Sequence, residues 1–156
     1  MKKITAEEYW KQFLKAEKLP ETTVYEEIFA FGWTEAIAKK LAEMVRSGQK
    51  QATTSCLRAF EIEKAPIPAV GGYSVITDWH GNPQAIIKNT RITILPYRDV
   101  TFEICSREGE DECLETWQKN HRDSFVREGQ ELGYDFTEDT KVVFQDFEKV
   151  YPKKRK

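Results

Sequence analysis

Lys50, followed by the hydroxyl side chains Thr53, Thr54 and Ser55, sets an amine beside three possible nucleophiles in one short stretch. An amine supplies a positive charge or, when neutral, a base. A hydroxyl attacks a carbonyl once its proton has been taken. The run Ser47-Gly48-Gln49-Lys50-Gln51-Ala52-Thr53-Thr54-Ser55 leaves a helix through glycine and enters a strand. Lys50 therefore falls at a turn, where its side chain can swing over the mouth of a sheet, and Thr53 shares its pocket if the chain bends there. By spacing alone the same residues also read as a capped helix, a solvated lysine and β-favouring threonines.

Further along, Glu108, Glu110, Asp111 and Glu112 form an acidic cluster of the kind that usually makes a solvated loop. Crowding of like charges there would raise one carboxyl's pKa. His121 stands between Trp117 and Phe125 at helical spacing. That position suits an acid–base group, and suits better a buried histidine hydrogen-bonded to its neighbours. Trp33, Trp79 and Trp117 have the faces on which a nucleic-acid base stacks. Only Trp79, beside a turn, is expected to be exposed enough. Asp78 reads as a turn former.

These groups need elements to hold them. Thr5 with Glu8 three residues later is a capping box opening a helix whose apolar stripe is Tyr9, Trp10, Phe13 and Leu14, ended by Leu19-Pro20. Residues 25–31 have the texture of a short strand. Thr34 caps a second helix carrying Ile37, Leu41, Met44 and Val45, with Gly48 at its C-terminal cap. After Gly48 the period changes to strand-like runs at 53–57, 73–77, 85–88 and 91–95, punctuated by Gly71-Gly72 and Gly81-Asn82-Pro83. A helical region near Asp99 breaks at Gly109. Another helix resumes at Cys113 with Leu114, Trp117, His121 and Phe125 on its inner face, and 141–151 reads as a closing strand. Strands at both ends of the pattern with helices between them predict an α+β domain with an antiparallel sheet or small barrel.

Composition narrows the function. The chain has 156 residues, 40% of them hydrophobic, and a formal net charge of −2. That balance suits one globular domain and argues against a bulk electrostatic grip on duplex nucleic acid, while leaving room for a nucleotide or one RNA strand in a local pocket. Cys56, Cys105 and Cys113 are odd in number and not at ligand spacing, so they read as reduced thiols and no metal is expected. No apolar stretch approaches a membrane span and no secretory segment follows Met1, so a cytoplasmic protein with no membrane partner is expected. The basic end, Lys153-Lys154-Arg155-Lys156, reads as a solvated tail.

The run Gly48-x-Lys50-x-x-Thr53-x-Ser55 resembles the signature of the ASCH family, a branch of the PUA-like small β-barrels. So does its approach, Phe29-Ala30-Phe31-Gly32 followed by a helix. Asp78-x-x-Gly81-x-Pro83, Glu108-Gly109-Glu110-Asp111 and Leu114-x-x-Trp117-x-x-x-His121-x-x-x-Phe125 match in the same order. The resemblance covers residues 25–151. It implies an α+β, PUA-like antiparallel or mixed β-barrel flanked by helices, preceded by a helical extension over 1–24 and followed by a basic tail over 152–156, as one domain. It also implies a cleft for a nucleoside, a nucleotide or single-stranded RNA, without a cofactor.

One small bacterial branch of that family removes acetyl from N(4)-acetylcytidine. Its catalytic lysine, threonine and glutamate fall on Lys50, Thr53 and Glu110, with Glu108 taking the last place if the turn differs. Ser55, Glu108, Trp79 and His121 are then expected around the substrate. The chain departs from that branch in its N-terminal helix and in carrying Ser55 where the branch has a basic residue. Thr53 would attack, and Lys50 would take its proton or hold the oxyanion. A neutral lysine base must fall about three units from its usual value near 10.4, which a touching carboxylate opposes. Either Lys50 and Glu110 stand apart, which is the expectation, or Lys50 stays cationic and Glu110 is the base. A non-catalytic RNA-binding module and a ribonuclease are the alternatives.

Overall fold

The computed structural model describes residues 3–153. Lys154, Arg155 and Lys156 of the expected tail lie outside the described residues. The chain divides into two compact units, one of Met1–Gln49, Val70–Thr90 and Phe147–Lys156, the other of Lys50–Ala69 and Arg91–Asp146. Five strands hydrogen-bond in the order β1-β3-β4-β5-β2: β1 is Glu27–Phe29, β2 Ala52–Cys56, β3 Tyr73–Thr77, β4 Pro83–Pro96 and β5 Lys141–Tyr151. The α+β class read from the sequence is what the molecule shows.

In the first unit, helix α1 (Ala6–Ala16) opens on the capping box, with Thr5 and Glu8 each bonded to the other's backbone N–H. Its buried face of Trp10, Phe13 and Leu14 packs against Val75 and Ile86. Helix α2 (Glu35–Ser47) is capped by the Thr34 hydroxyl and ends at Gly48, whose φ of 87° is a conformation that glycine adopts without strain. Its Leu41, Met44 and Val45 pack on Ile76, Ala85 and Ile87. β1 runs parallel to β3, and β3 antiparallel to β4.

The two runs expected at 85–88 and 91–95 are one strand. The gap between the two runs falls at Asn89-Thr90, and asparagine favours turns. Here Asn89 is buried: its side chain bonds Glu26, and its backbone N–H and C=O bond Gly72 and Gly71. With its polar groups satisfied that way, the chain stays extended.

In the second unit, β2 pairs antiparallel with β5, placing Thr53 opposite Gln145, Thr54 opposite Phe144 and Ser55 opposite Val143. A helix the sequence did not announce, α3 (Leu57–Glu63), follows β2 directly; Cys56 at its N-cap makes no side-chain cap bond. The region near Asp99 resolves into 3₁₀ turns at Tyr97–Asp99 and Ser106–Glu108 around a single helical turn, α4 (Phe102–Cys105). The long helix α5 (Leu114–Leu132) buries Trp117 and Phe125 among Cys56, Tyr97, Val100, Cys105, Tyr134 and Val142. All three cysteines are free thiols. Among the described residues no helix is long and apolar enough to cross a membrane.

Helix α5 closes tightly on the chain that leaves it. A Cβ on Gly129 would lie 2.3 Å from the Tyr134 carbonyl oxygen. Gly129→Ala should therefore destabilise the protein by about 1–3 kcal/mol through overpacking, outweighing a helix-propensity gain of up to about 1 kcal/mol. Urea denaturation reads the sign, and a stabilised variant would show that the close approach yields.

Candidate functional site

Two local features bring Lys50 to its partners. Gly48 turns the chain out of α2, and the Gln51 N–H then donates to the Arg107 carbonyl at 3.0 Å, tying the entry of β2 to the 3₁₀ turn that carries Glu108. Gly109 caps that turn in the left-handed conformation, φ 73°, and reverses the chain so that Glu110 returns to the same amine.

The Lys50 ammonium donates to Glu108 Oε1 at 3.3 Å and to Glu110 Oε2 at 2.5 Å. Side-chain exposure differs sharply along this chain of charges: 1% for Lys50, 2% for Glu108 and 26% for Glu110. The other oxygen of Glu108 accepts from the Thr54 hydroxyl at 2.9 Å and from the Trp117 indole N–H, and lies 3.3 Å from His121 Nε2. His121 Nδ1 bonds the Trp117 carbonyl at 2.9 Å, and its ring stacks on the Trp117 indole at 4.3 Å.

Burial alone would push the Glu108 carboxyl up. The Lys50 ammonium, then His121 and the Trp117 N–H, outweigh it and hold the group down at about 2. Burial acts on His121 in the opposite sense, favouring the neutral ring. The Glu108 charge and hydrogen bond overcome it, so the imidazole titrates above its ordinary value.

The structure thus brings Lys50, Glu108, Glu110 and His121 together. The expected separation of Lys50 from Glu110 is corrected, and so is the lysine swinging over the sheet: desolvation is compensated by two carboxylates, and the amine stays inside. Successive side chains of a strand leave on opposite faces. Thr54 points to Glu108, while Thr53 and Ser55 leave β2 on the other side. Trp117 is core. Trp79, 45% exposed, belongs to the first unit, where it lines a cavity of about 170 Å³ with Glu35, Lys39, Asp78 and His80. Trp33, expected inside, is 43% exposed.

Sequence reasoning named Thr54 only as one of three hydroxyls and missed Arg107 and Asp146. Arg107 grips Asp146 with Nε at 2.6 Å and its second nitrogen at 3.3 Å, and lies over the Phe144 ring. The alternation of β2 could have found Thr54, which shares a strand face with Ala52 and, through pairing, with Phe144 and Asp146. Among the described residues no His, Cys, Asp and Glu side chains cluster as a metal site.

Chemically the two carboxylates are unequal. Glu108 is held by four donors and is an anchor. Glu110, the more exposed of the two, is bonded to Lys50 and can exchange that bond for a ligand's.

A model of the ASCH domain family matches residues 27–151. No curated protein matches the chain. Among solved structures, the ASCH domain of Lactobacillus crispatus JV V101 is 30% identical over 94% of each chain, with a TM-score of 0.86. A protein of Enterococcus faecalis V583 is also 30% identical, over 93% of this chain and 87% of its own, with a TM-score of 0.85. A variant of an ASCH protein from Zymomonas mobilis shares the fold at 14% identity, covering 81% of this chain and 72% of its own, with a TM-score of 0.51. The Lactobacillus match reaches beyond residues 27–151 and so takes in part of the N-terminal helix.

Removing the amine from this network strands a buried carboxylate. Lys50→Met should cost roughly 3–5 kcal/mol in chemical denaturation. Stability should also depend on pH at two ends. The Glu108 contribution is present above its ordinary value of 4.5 and is lost as pH falls from there toward about 2. The His121 contribution is full below its ordinary 6.5 and is lost as pH rises through the raised value. In His121→Gln the alkaline loss should disappear while the acid limb stays, a difference that melting temperatures across pH will read.

Proposed function

The chain belongs to the ASCH domain family, and from that premise we propose that it is an amidohydrolase acting on an N-acylated nucleobase, of which N(4)-acetylcytidine is the type. The observation that carries this reading is a buried ammonium 2.5 Å from a partly exposed carboxylate. Amide hydrolysis requires a proton acceptor and a donor for the developing oxyanion, and these two groups are of those kinds.

When the substrate enters, its acyl oxygen takes the Glu110 position at the Lys50 ammonium, and Glu108 keeps the amine from following its displaced partner. Glu110 then accepts a proton from a water that attacks the acyl carbon. The carbonyl π bond opens to an oxyanion held by Lys50. As it re-forms, the C–N bond breaks and the exocyclic nitrogen leaves with the proton that Glu110 returns. The products are the free nucleoside and a carboxylic acid. Thr53 is the nucleophile that the resemblance implies. Its position on the strand face opposite Thr54 favours the water route.

The test is incubation of the protein with N(4)-acetylcytidine. Glu110→Gln should lower kcat by about 10²–10⁴-fold, with a melting temperature close to the parent's because the side chain is partly exposed. Thr53→Ala should lose less than about tenfold on the water route; a loss as large as that of Glu110→Gln would reassign the attack to Thr53 through an acetyl-enzyme. A parent protein that binds the nucleoside without releasing cytidine would make the site a binding module.

A further inference from the structure

The turn Ser106–Glu108 is a single 3₁₀ turn set between the one-turn helix α4 and the left-handed Gly109. A segment that short has no hydrogen-bond ladder of its own to fix its height above the sheet. Glu108 must nevertheless present its carboxylate to four donors, and Glu110, two residues on, must return to the same amine. The backbone that carries both glutamates therefore needs support from outside the turn.

Arg107 lies inside that turn and is tied on two sides. Its carbonyl accepts from the Gln51 N–H at 3.0 Å, which sets the turn against the entry of β2. Its side chain reaches β5, where Nε donates to Asp146 Oδ1 at 2.6 Å and a terminal nitrogen donates to Oδ2 at 3.3 Å. Asp146 pairs with Ala52, so the two ties end on neighbouring positions of adjacent strands. The other terminal nitrogen donates to the Glu103 carbonyl at 3.4 Å, and the guanidinium lies 5.3 Å from the centre of the Phe144 ring. One backbone bond alone would let the turn pivot, and a second tie to β5 removes that freedom. A planar guanidinium fork fixes angle as well as distance, which a lysine ammonium does not. The side chains of the pair are 33% and 11% exposed, so water competes with it less than with a surface ion pair.

We propose that Arg107 is a positioning residue whose two-point pair with Asp146 braces this turn against β5 and fixes where Glu108 and Glu110 meet the Lys50 ammonium. It acts through the turn, since the partners of its side chain are Asp146, Glu103 and Phe144. Its effect on turnover rests on the hydrolytic reading above, and its effect on geometry does not.

His121 reports where Glu108 stands. Burial lowers the titration of the ring, and the Glu108 charge and hydrogen bond raise it above the ordinary value, with the Trp117 carbonyl and Glu110 adding to them. The charged groups acting on the ring are thus the two glutamates of the braced segment, with Lys50 on the far oxygen of Glu108. Proton NMR of the two histidines across pH, on the full chain, tests the proposal, with His121→Gln to assign the signals and the exposed His80 as the reference. Arg107→Lys keeps the charge and gives up the fork. Its His121 should titrate lower, toward 6.5, while His80 keeps the parent's value. The double variant Arg107→Gln, Asp146→Asn leaves the net charge unchanged and no ion unpaired. It should shift His121 the same way, which keeps the test decisive if Arg107→Lys folds poorly. With N(4)-acetylcytidine, Arg107→Lys should lower kcat on the order of 10²-fold with KM near the parent's, as a displaced catalytic group does. A parental His121 titration in both variants, with only the melting temperature lowered, would make the pair a structural tie and overturn the proposal. So would a raised KM with kcat and the His121 titration unchanged, which would make Arg107 a substrate contact. A parent that releases no cytidine counts against the hydrolytic reading, and the His121 shift still decides for or against the brace.

Discussion

Glu108 is the charge around which the candidate site is arranged. A carboxylate with 2% of its side chain exposed survives inside a protein only if donors replace its water. Here they come from four places: the turn before β2 (Lys50), β2 itself (Thr54), and two successive turns of α5 (Trp117 and His121). Each donor is delivered by an element that must be in register for the others to reach. The Gln51–Arg107 backbone bond sets the turn beside β2, and the stack of Tyr97, Trp117 and His121 fixes the helix face. An unpaired buried ion is costly, so the network favours a single arrangement of these elements over near neighbours.

From that anchor follows the division of labour between two glutamates separated by one glycine. Glu108 is too well held to take part in proton transfer, since a group titrating near 2 remains a carboxylate at neutral pH. Glu110 lies past the left-handed Gly109, reaches the same amine and meets solvent. A lysine fixed between an immovable and a replaceable carboxylate can change one partner without leaving its place. On the proposed function it would be a stationary positive charge for an incoming oxygen, a role that needs no neutral lysine.

Much of this was legible in the sequence, for reasons that can be named. The capping box at Thr5 and the Thr34-to-Gly48 helix are local signals, and both elements stand where those signals place them. Lys50 and Glu110, with Glu108 as the alternative, were named from the family resemblance, and their contact with one amine was not expected. Counting back from α5 cannot separate Glu108 from Glu110, because Gly109 lets both side chains reach Nζ. Which of the three β2 hydroxyls meets Glu108 was hidden because strand alternation assigns faces only once the neighbouring element is known. Helix α3 escaped because it follows β2 with no side-chain cap, and β4 looked broken because the bonds that satisfy Asn89 come from Glu26, Gly71 and Gly72, far away in sequence.

If the site hydrolyses an acyl amide as proposed, its charge count bears on that reaction step by step. With His121 carrying its proton, Lys50 and His121 balance Glu108 and Glu110, and the cluster is neutral. A neutral cluster exerts no net pull on phosphate, and an uncharged acyl amide enters it without electrostatic penalty. Once Glu110 has taken a proton from water, Lys50 and His121 face Glu108 alone and the cluster carries one net positive charge. That charge appears at the moment the acyl oxygen becomes negative, and beside it. Interactions that strengthen only as the transition state forms are those that accelerate a reaction. On that proposal His121 contributes through its charge. If it were neutral, the cluster would start at one net negative charge, and the proton taken by Glu110 would only bring it to zero, leaving the oxyanion uncompensated.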